Sequence, residues 1–205
     1  MGLQTGYVFQ IHMPSFYQKA TGCRLSLKVT CFILNKVAQH SIGVRKLFFL
    51  KPKLIKNDKK FSAKLLFKDV SSDAWDQANL TKANLDFSID SVRVVNEYAD
   101  RLCHTEFGQQ LLKEHPDNFT TRIGAYLGEV IKNHKDGQYR WYDFNSIKEH
   151  TVHLTNEVIS VQDEAVLYSK KMDKVVCPIY EVKQYLAGQS HYKSFVAYVE
   201  HAIKS

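Results

Sequence analysis

The 205-residue chain carries 28 Lys and Arg against 21 Asp and Glu, a formal net charge of +7, with 44% hydrophobic and 24% charged residues. That balance suits a globular chain with one sizeable core, made aromatic by twelve Phe and eleven Tyr. It excludes a membrane span, because no run approaches the ~20 consecutive apolar residues required, and a disulfide framework, because four scattered cysteines include no CxxC.

In chain order, the opening "MGLQTGYVFQIH" lacks the basic and apolar regions of a secretory signal. Gly6 stands where a myristoylation pattern wants Ser or Thr. The expected location is cytoplasmic, which empties the triplets Asn79-Leu80-Thr81 and Asn118-Phe119-Thr120 of meaning as glycosylation sites. His12, Cys23, Cys31 and His40 match no zinc spacing, so no metal and no cofactor is expected.

Residues 1–71 hold thirteen Lys and Arg against Asp58 and Asp69, a net +11. The remainder holds fifteen basic and nineteen acidic residues, a net −4. The first segment therefore reads as a basic N-terminal extension. It is a nucleic-acid or membrane-surface arm, a poorly ordered tail, or the product of a start codon placed upstream of the true one. Its densest part is "KPKLIKNDKKFSAK". The candidate phosphate contacts there are Lys51, Lys53, Lys56, Lys59, Lys60 and Lys64.

From residue 72 to 205 a single α+β domain is expected. "SSDAWDQANLTKANL" begins with capping residues and predicts a short helix. In "DFSIDSVRVVNEYADRLCH", Val92, Val95, Ala99 and Leu102 follow helical spacing behind a Ser88 cap. "EFGQQLLKEH" adds one or two turns before Pro116. A helix over 118–134, capped by Asp117 or Asn118, turns Ile123, Leu127, Val130 and Ile131 inward. Asp136-Gly137 then marks a turn, and "YRWYDF" a strand. "HTVHL" and "EVISVQDEAVLYSK" predict further strands. "KVVCPIYEVKQYLAG" predicts a strand, Pro178 and a short helix ending at Gly188. "SHYKSFVAYVEHAIK" is a last amphipathic helix. Helices, then three or four short strands, then a C-terminal helix argue α+β with an antiparallel sheet.

Gly124 and Gly128 lie four apart in the 118–134 helix, where each costs about 1 kcal/mol against Ala. Close approach of a neighbouring element would offset that cost. The stripe Arg122, Tyr126, Glu129 and Asn133 is either a pocket wall, with Glu129 as a general base or a partner for Arg122 or Arg140, or a salt-bridged face. An RNA-binding KH loop is excluded by the three-residue spacing between the glycines.

"LDFSIDSVRVVNEYADRL", "RIGAYLGEVIKNH", "YRWYDF" and "VVCPIYEVKQYLAG" together resemble an uncharacterised family of small bacterial proteins with a GAYxGEV helix followed by a Trp-containing strand. The resemblance covers about residues 80–203. It implies a single bacterial α+β domain and singles out Gly124, Tyr126, Gly128, Glu129 and Trp141. It implies no reaction.

Catalytic motifs are missing: there is no HExxH, GxSxG, P-loop or GxGxxG. Cys103-His104 are neighbours in sequence only, and His150 and His153 suit a metal only on a helix. Glu129 with His134 or His153 is the one acid/base pair to consider. The reading is a non-catalytic domain that binds another protein, as an adaptor or antitoxin-like module. Its alternatives are nucleic-acid binding through residues 45–68 and a hydrolase using Glu129. Arg122, Tyr126, Glu129, Arg140 and Trp141 are the ligand or partner candidates.

Overall fold

The computed structural model describes residues 52–151 and 165–205. Five helices come first: α1 (Lys60–Lys68), α2 (Ala74–Asn79), α3 (Ser91–His104), α4 (Glu106–Glu114) and α5 (Pro116–His134). The strands are β1 (Arg140–Asp143), β2 (Ala165–Ser169) and β3 (Lys174–Val176), with one-turn α6 (Phe144–Ile147) between β1 and β2. Helices α7 (Pro178–Leu186) and α8 (Phe195–Lys204) follow. The fold is α+β, with a three-stranded antiparallel sheet in the order β1-β2-β3 among the described residues.

The sheet shows why strand "AVLYS" looks apolar throughout. β2 is central, and all five of its residues are buried. Period-2 alternation sends Leu167 to the main core, opposite Trp141 and Val176. It sends Val166 and Tyr168 to a smaller cluster on the other face, with Tyr142, Phe144 and Ile147.

Helix α5 is the axis of the main core. Ile123, Leu127, Val130 and Ile131 are fully buried, as their spacing predicts. It begins at Pro116, two residues before the expected start, because the proline ring already holds helical φ and its missing N–H costs nothing in the first turn. It ends in the expected turn, where Asp136 (φ 47°) and Gly137 (φ 67°) are left-handed and the Gly137 N–H donates to Lys132 O at 3.1 Å. Asp73 caps α2, its Oδ1 accepting the N–H groups of Trp75 and Asp76.

The domain boundary expected at residue 71/72 is not where the packing puts it. Ala63 and Leu66 of α1 are buried in the main core, and contacts close into one unit over Phe49–Ser205. Ahead of α1, residues 55–57 run along the free edge of β1. Asn57 N–H donates to Trp141 O at 3.3 Å, and Asp143 N–H donates to Ile55 O at 2.9 Å. Lysine density hid a helix whose inward residues, Ala63, Leu66 and half-buried Phe67, are spaced three and one apart. The α6 turn was also not foreseen. Lys51, the four residues weighed as metal ligands, and the strands expected across residues 152–164 lie outside the described residues.

Candidate functional site

The α5 stripe is the first place to look for a site, and its side chains are occupied by the fold. A Cβ on Gly124 would stand 2.5 Å from Ile179 Cα, and one on Gly128 2.2 Å from Trp141 Cζ2. Carbon atoms in contact need about 3.5–4.0 Å. The two glycines thus admit two different neighbours. Gly124 lets the backbone of α7 close on α5, and Gly128 lets the Trp141 indole lie against the helix.

Glu129 completes the second contact. Its side chain is 5% exposed, and its Oε1 accepts the indole N–H of Trp141 at 2.8 Å. Lys132, one turn on, donates to both carboxylate oxygens at 2.7 and 2.9 Å. A carboxylate this buried needs paired charge and hydrogen bonds, and these two groups supply them.

Tyr126 is fully buried. Its hydroxyl lies 2.6 Å from Ser91 Oγ and accepts the Phe87 N–H at 3.0 Å, while its ring stacks on Phe87 at 4.7 Å. Phe87 has φ 64°, a left-handed conformation that a bulky residue keeps only when its surroundings hold it there. Tyr126 is that clamp, and burial raises the pKa of its phenol. Arg122 pairs with the Asp69 carboxylate and donates to the Asp69 carbonyl at 3.1 Å, tying the C-terminal end of α1 to α5. Arg140 is exposed on β1 and is not part of this arrangement.

Of the two histidines considered as partners for Glu129, only His134 lies among the described residues. His134 Nδ1 lies 2.9 Å from Val130 O of its own helix, and His153 is outside the described residues. Burial pushes the Cys103 thiol up, away from a reactive thiolate. Among the described residues, no three His, Cys, Asp or Glu side chains are placed to hold a metal, and no helix is long and apolar enough to cross a membrane.

The lysine candidates have a different fate. Lys53, Lys56 and Lys60 are exposed, Lys59 and Lys64 half-buried, and Lys68 exposed. None of these six forms an ion pair among the described residues. At 100° per residue, Lys60, Lys64, Lys68 and Phe61 fall within roughly a 100° arc of α1, away from Ala63 and Leu66. Phe61 is 68% exposed, and Ile55, ahead of the helix, is 60% exposed.

The sequence signals for Glu129's partners were present but read separately. Lys132 at i+3 is a standard helical pair, and Trp141 was already a candidate. A cavity lined by β3, α7 and α8, Glu181 among its residues, carries no local sequence motif and was missed. No protein-family model, curated protein or solved structure matches the chain.

Proposed function

We propose that the domain works by binding and that the outer face of α1 engages single-stranded nucleic acid. The observation that carries this reading is Phe61, two-thirds exposed on the same helical arc as Lys60, Lys64 and Lys68, which form no ion pair among the described residues. Unpaired lysines neutralise phosphates, and an exposed aromatic ring gives a base a face to stack on. Placing Lys59 and Lys60 at the positive end of a helix dipole works against stability by about 0.3–1 kcal/mol each. That cost has no return in the folded chain and has one in anion binding. Protein interfaces, by contrast, are depleted in lysine around their aromatic anchors.

The test is fluorescence anisotropy of a labelled oligothymidylate with the full chain. Affinity should fall linearly with salt on logarithmic axes between about 50 and 200 mM. Lys56→Glu/Lys60→Glu/Lys64→Glu should abolish binding without unfolding the domain. Phe61→Ala should weaken binding by about 5–150-fold, the range of one base–aromatic stack. Absence of binding at about 50 mM salt, or binding indifferent to salt, would overturn the reading. Deleting the basic segment is not a usable test, because Ala63 and Leu66 belong to the core.

A second reading, an adaptor- or antitoxin-like protein-binding role, draws on Ile55 and Phe61 as exposed apolar side chains. It predicts that Ile55→Ser and Phe61→Ser abolish partner capture while lysine reversal leaves it intact.

A further inference from the structure

A cavity of about 500 Å³ opens between β3, α7 and α8, within the usual size of a small-molecule site. Its lining includes Cys177, Glu181, Ser190, Tyr192, Tyr198 and His201. The arrangement is built by hydrogen bonds. Ser190 Oγ donates to Glu181 Oε1 at 2.5 Å and accepts the Tyr192 N–H at 2.9 Å, so the linker between α7 and α8 is folded down against Glu181. The Tyr192 ring meets Tyr198 edge-on at 5.2 Å and His201 at 5.7 Å.

Glu181 is the carboxylate side chain that lines this cavity. Tyr198 lines the cavity at 7% exposure, while its hydroxyl is buried out of reach and has no hydrogen-bond partner among the described residues. A buried hydroxyl without a partner costs roughly 1–3 kcal/mol. The Tyr139 hydroxyl is also buried without a partner, but it does not line the cavity. Glu181 accepts one hydrogen bond through Oε1, and its carboxylate forms no ion pair among the described residues. Glu129 shows how this fold treats a carboxylate it needs for itself: a lysine and an indole surround it.

We infer that this cavity binds a small organic cation, a primary ammonium or amidinium on an apolar body, with Glu181 as counter-ion and the Tyr192 and Tyr198 side chains as its aromatic wall. The cation's N–H groups donate to the Glu181 carboxylate, which Ser190 engages through Oε1. Tyr192 and Tyr198 add aromatic surface of the kind that attracts cations. Desolvation raises the pKa of Glu181 against the opposing pull of the Ser190 hydrogen bond and of nearby His191. Lys174, His191 and His201 also line the cavity, so an anionic ligand is the competing chemistry.

The probes that separate these chemistries are benzylamine, its neutral analogue benzyl alcohol, and the anion phenylacetate. Each is titrated into the full ¹⁵N-labelled chain near neutral pH and followed by amide shifts. Benzylamine should bind with a dissociation constant of about 1 mM or tighter, as expected for a ligand of about eight heavy atoms. Its shifts should centre on residues 176–202, and the other two probes should bind at least about tenfold more weakly. Glu181→Gln should cost benzylamine about tenfold or more. Tyr198→Phe should keep benzylamine affinity, since the ring stays, and keep or raise the melting temperature, because the buried hydroxyl is gone. Equal binding of all three probes, stronger binding of phenylacetate, no binding of benzylamine, or binding unchanged in folded Glu181→Gln would each overturn the inference.

Discussion

Helices α5 and α1 pack against each other and treat their polar residues in opposite ways. On α5, Arg122, Tyr126 and Glu129 each end in a partner supplied by another element or the next turn: Asp69, Phe87 with Ser91, and Trp141 with Lys132. On α1, the inward side contributes Ala63 and Leu66 to the core, and the outward side holds lysines with no ion pair among the described residues around an exposed Phe61. The contrast separates structural from available chemistry. A charged residue that the fold has already satisfied has little left to offer a ligand, whereas one left unsatisfied keeps its interaction free energy for a partner.

The sharpest way to break this comparison is at the glycines. Gly128→Leu drives a side chain into the Trp141 indole and should cost about 3 kcal/mol or more, at or beyond the top of the overpacking range. That corresponds to a fall of roughly 6–12 °C in melting temperature for a chain of this size. A variant as stable as wild type would remove Gly128 from the packing account. Glu129→Ala comes next. It strands the buried Trp141 N–H and should cost about 2 kcal/mol in denaturant unfolding. An unchanged midpoint would return Glu129 to the list of free carboxylates.

Alkaline pH tests the core as a whole. Burial raises the phenol pKa of Tyr126, Tyr139, Tyr192 and Tyr198, and takes Tyr168 and Tyr185 up to about 12. In the unfolded chain these groups ionise near pH 10. The folded state therefore holds more protons above that pH. The stability these phenols contribute is intact below pH 10 and is lost as pH rises through their folded values. Unfolding monitored by circular dichroism, with tyrosinate absorbance alongside, should show loss of structure coupled to release of more than one proton. A stability flat from pH 9 to 12 would contradict the burial of these phenols. The smallest effect belongs to α1: Lys60→Glu should leave stability unchanged or raise it by about 0.3–1 kcal/mol, because it places an acid at a helix N-terminus.

The sequence carried the helical periodicities of α3, α5 and α8, the Asp136-Gly137 turn and the α+β class, because each depends on local spacing or local turn chemistry. It carried the glycine question but not its answer. Which atoms fill the gaps at Gly124 and Gly128 depends on Ile179 and Trp141, set by tertiary packing. Helix α1 was missed for a related reason: three of its nine residues are lysines, and its apolar positions make sense only once α5 is beside them. The Glu181–Tyr198 cavity is harder still to see, since its lining comes from β3, two helices and a linker, with no motif in any one of them.

The most direct test of the central contrast measures stability and oligothymidylate affinity on two variants side by side. The account predicts a crossed result. Lys56→Glu/Lys60→Glu/Lys64→Glu loses the oligonucleotide and keeps its melting temperature, while Glu129→Gln loses melting temperature and, once folded, keeps the oligonucleotide. Retention of the oligonucleotide by the lysine variant, or its loss in the folded Glu129→Gln variant, would contradict the assignment of one helix to structure and the other to binding.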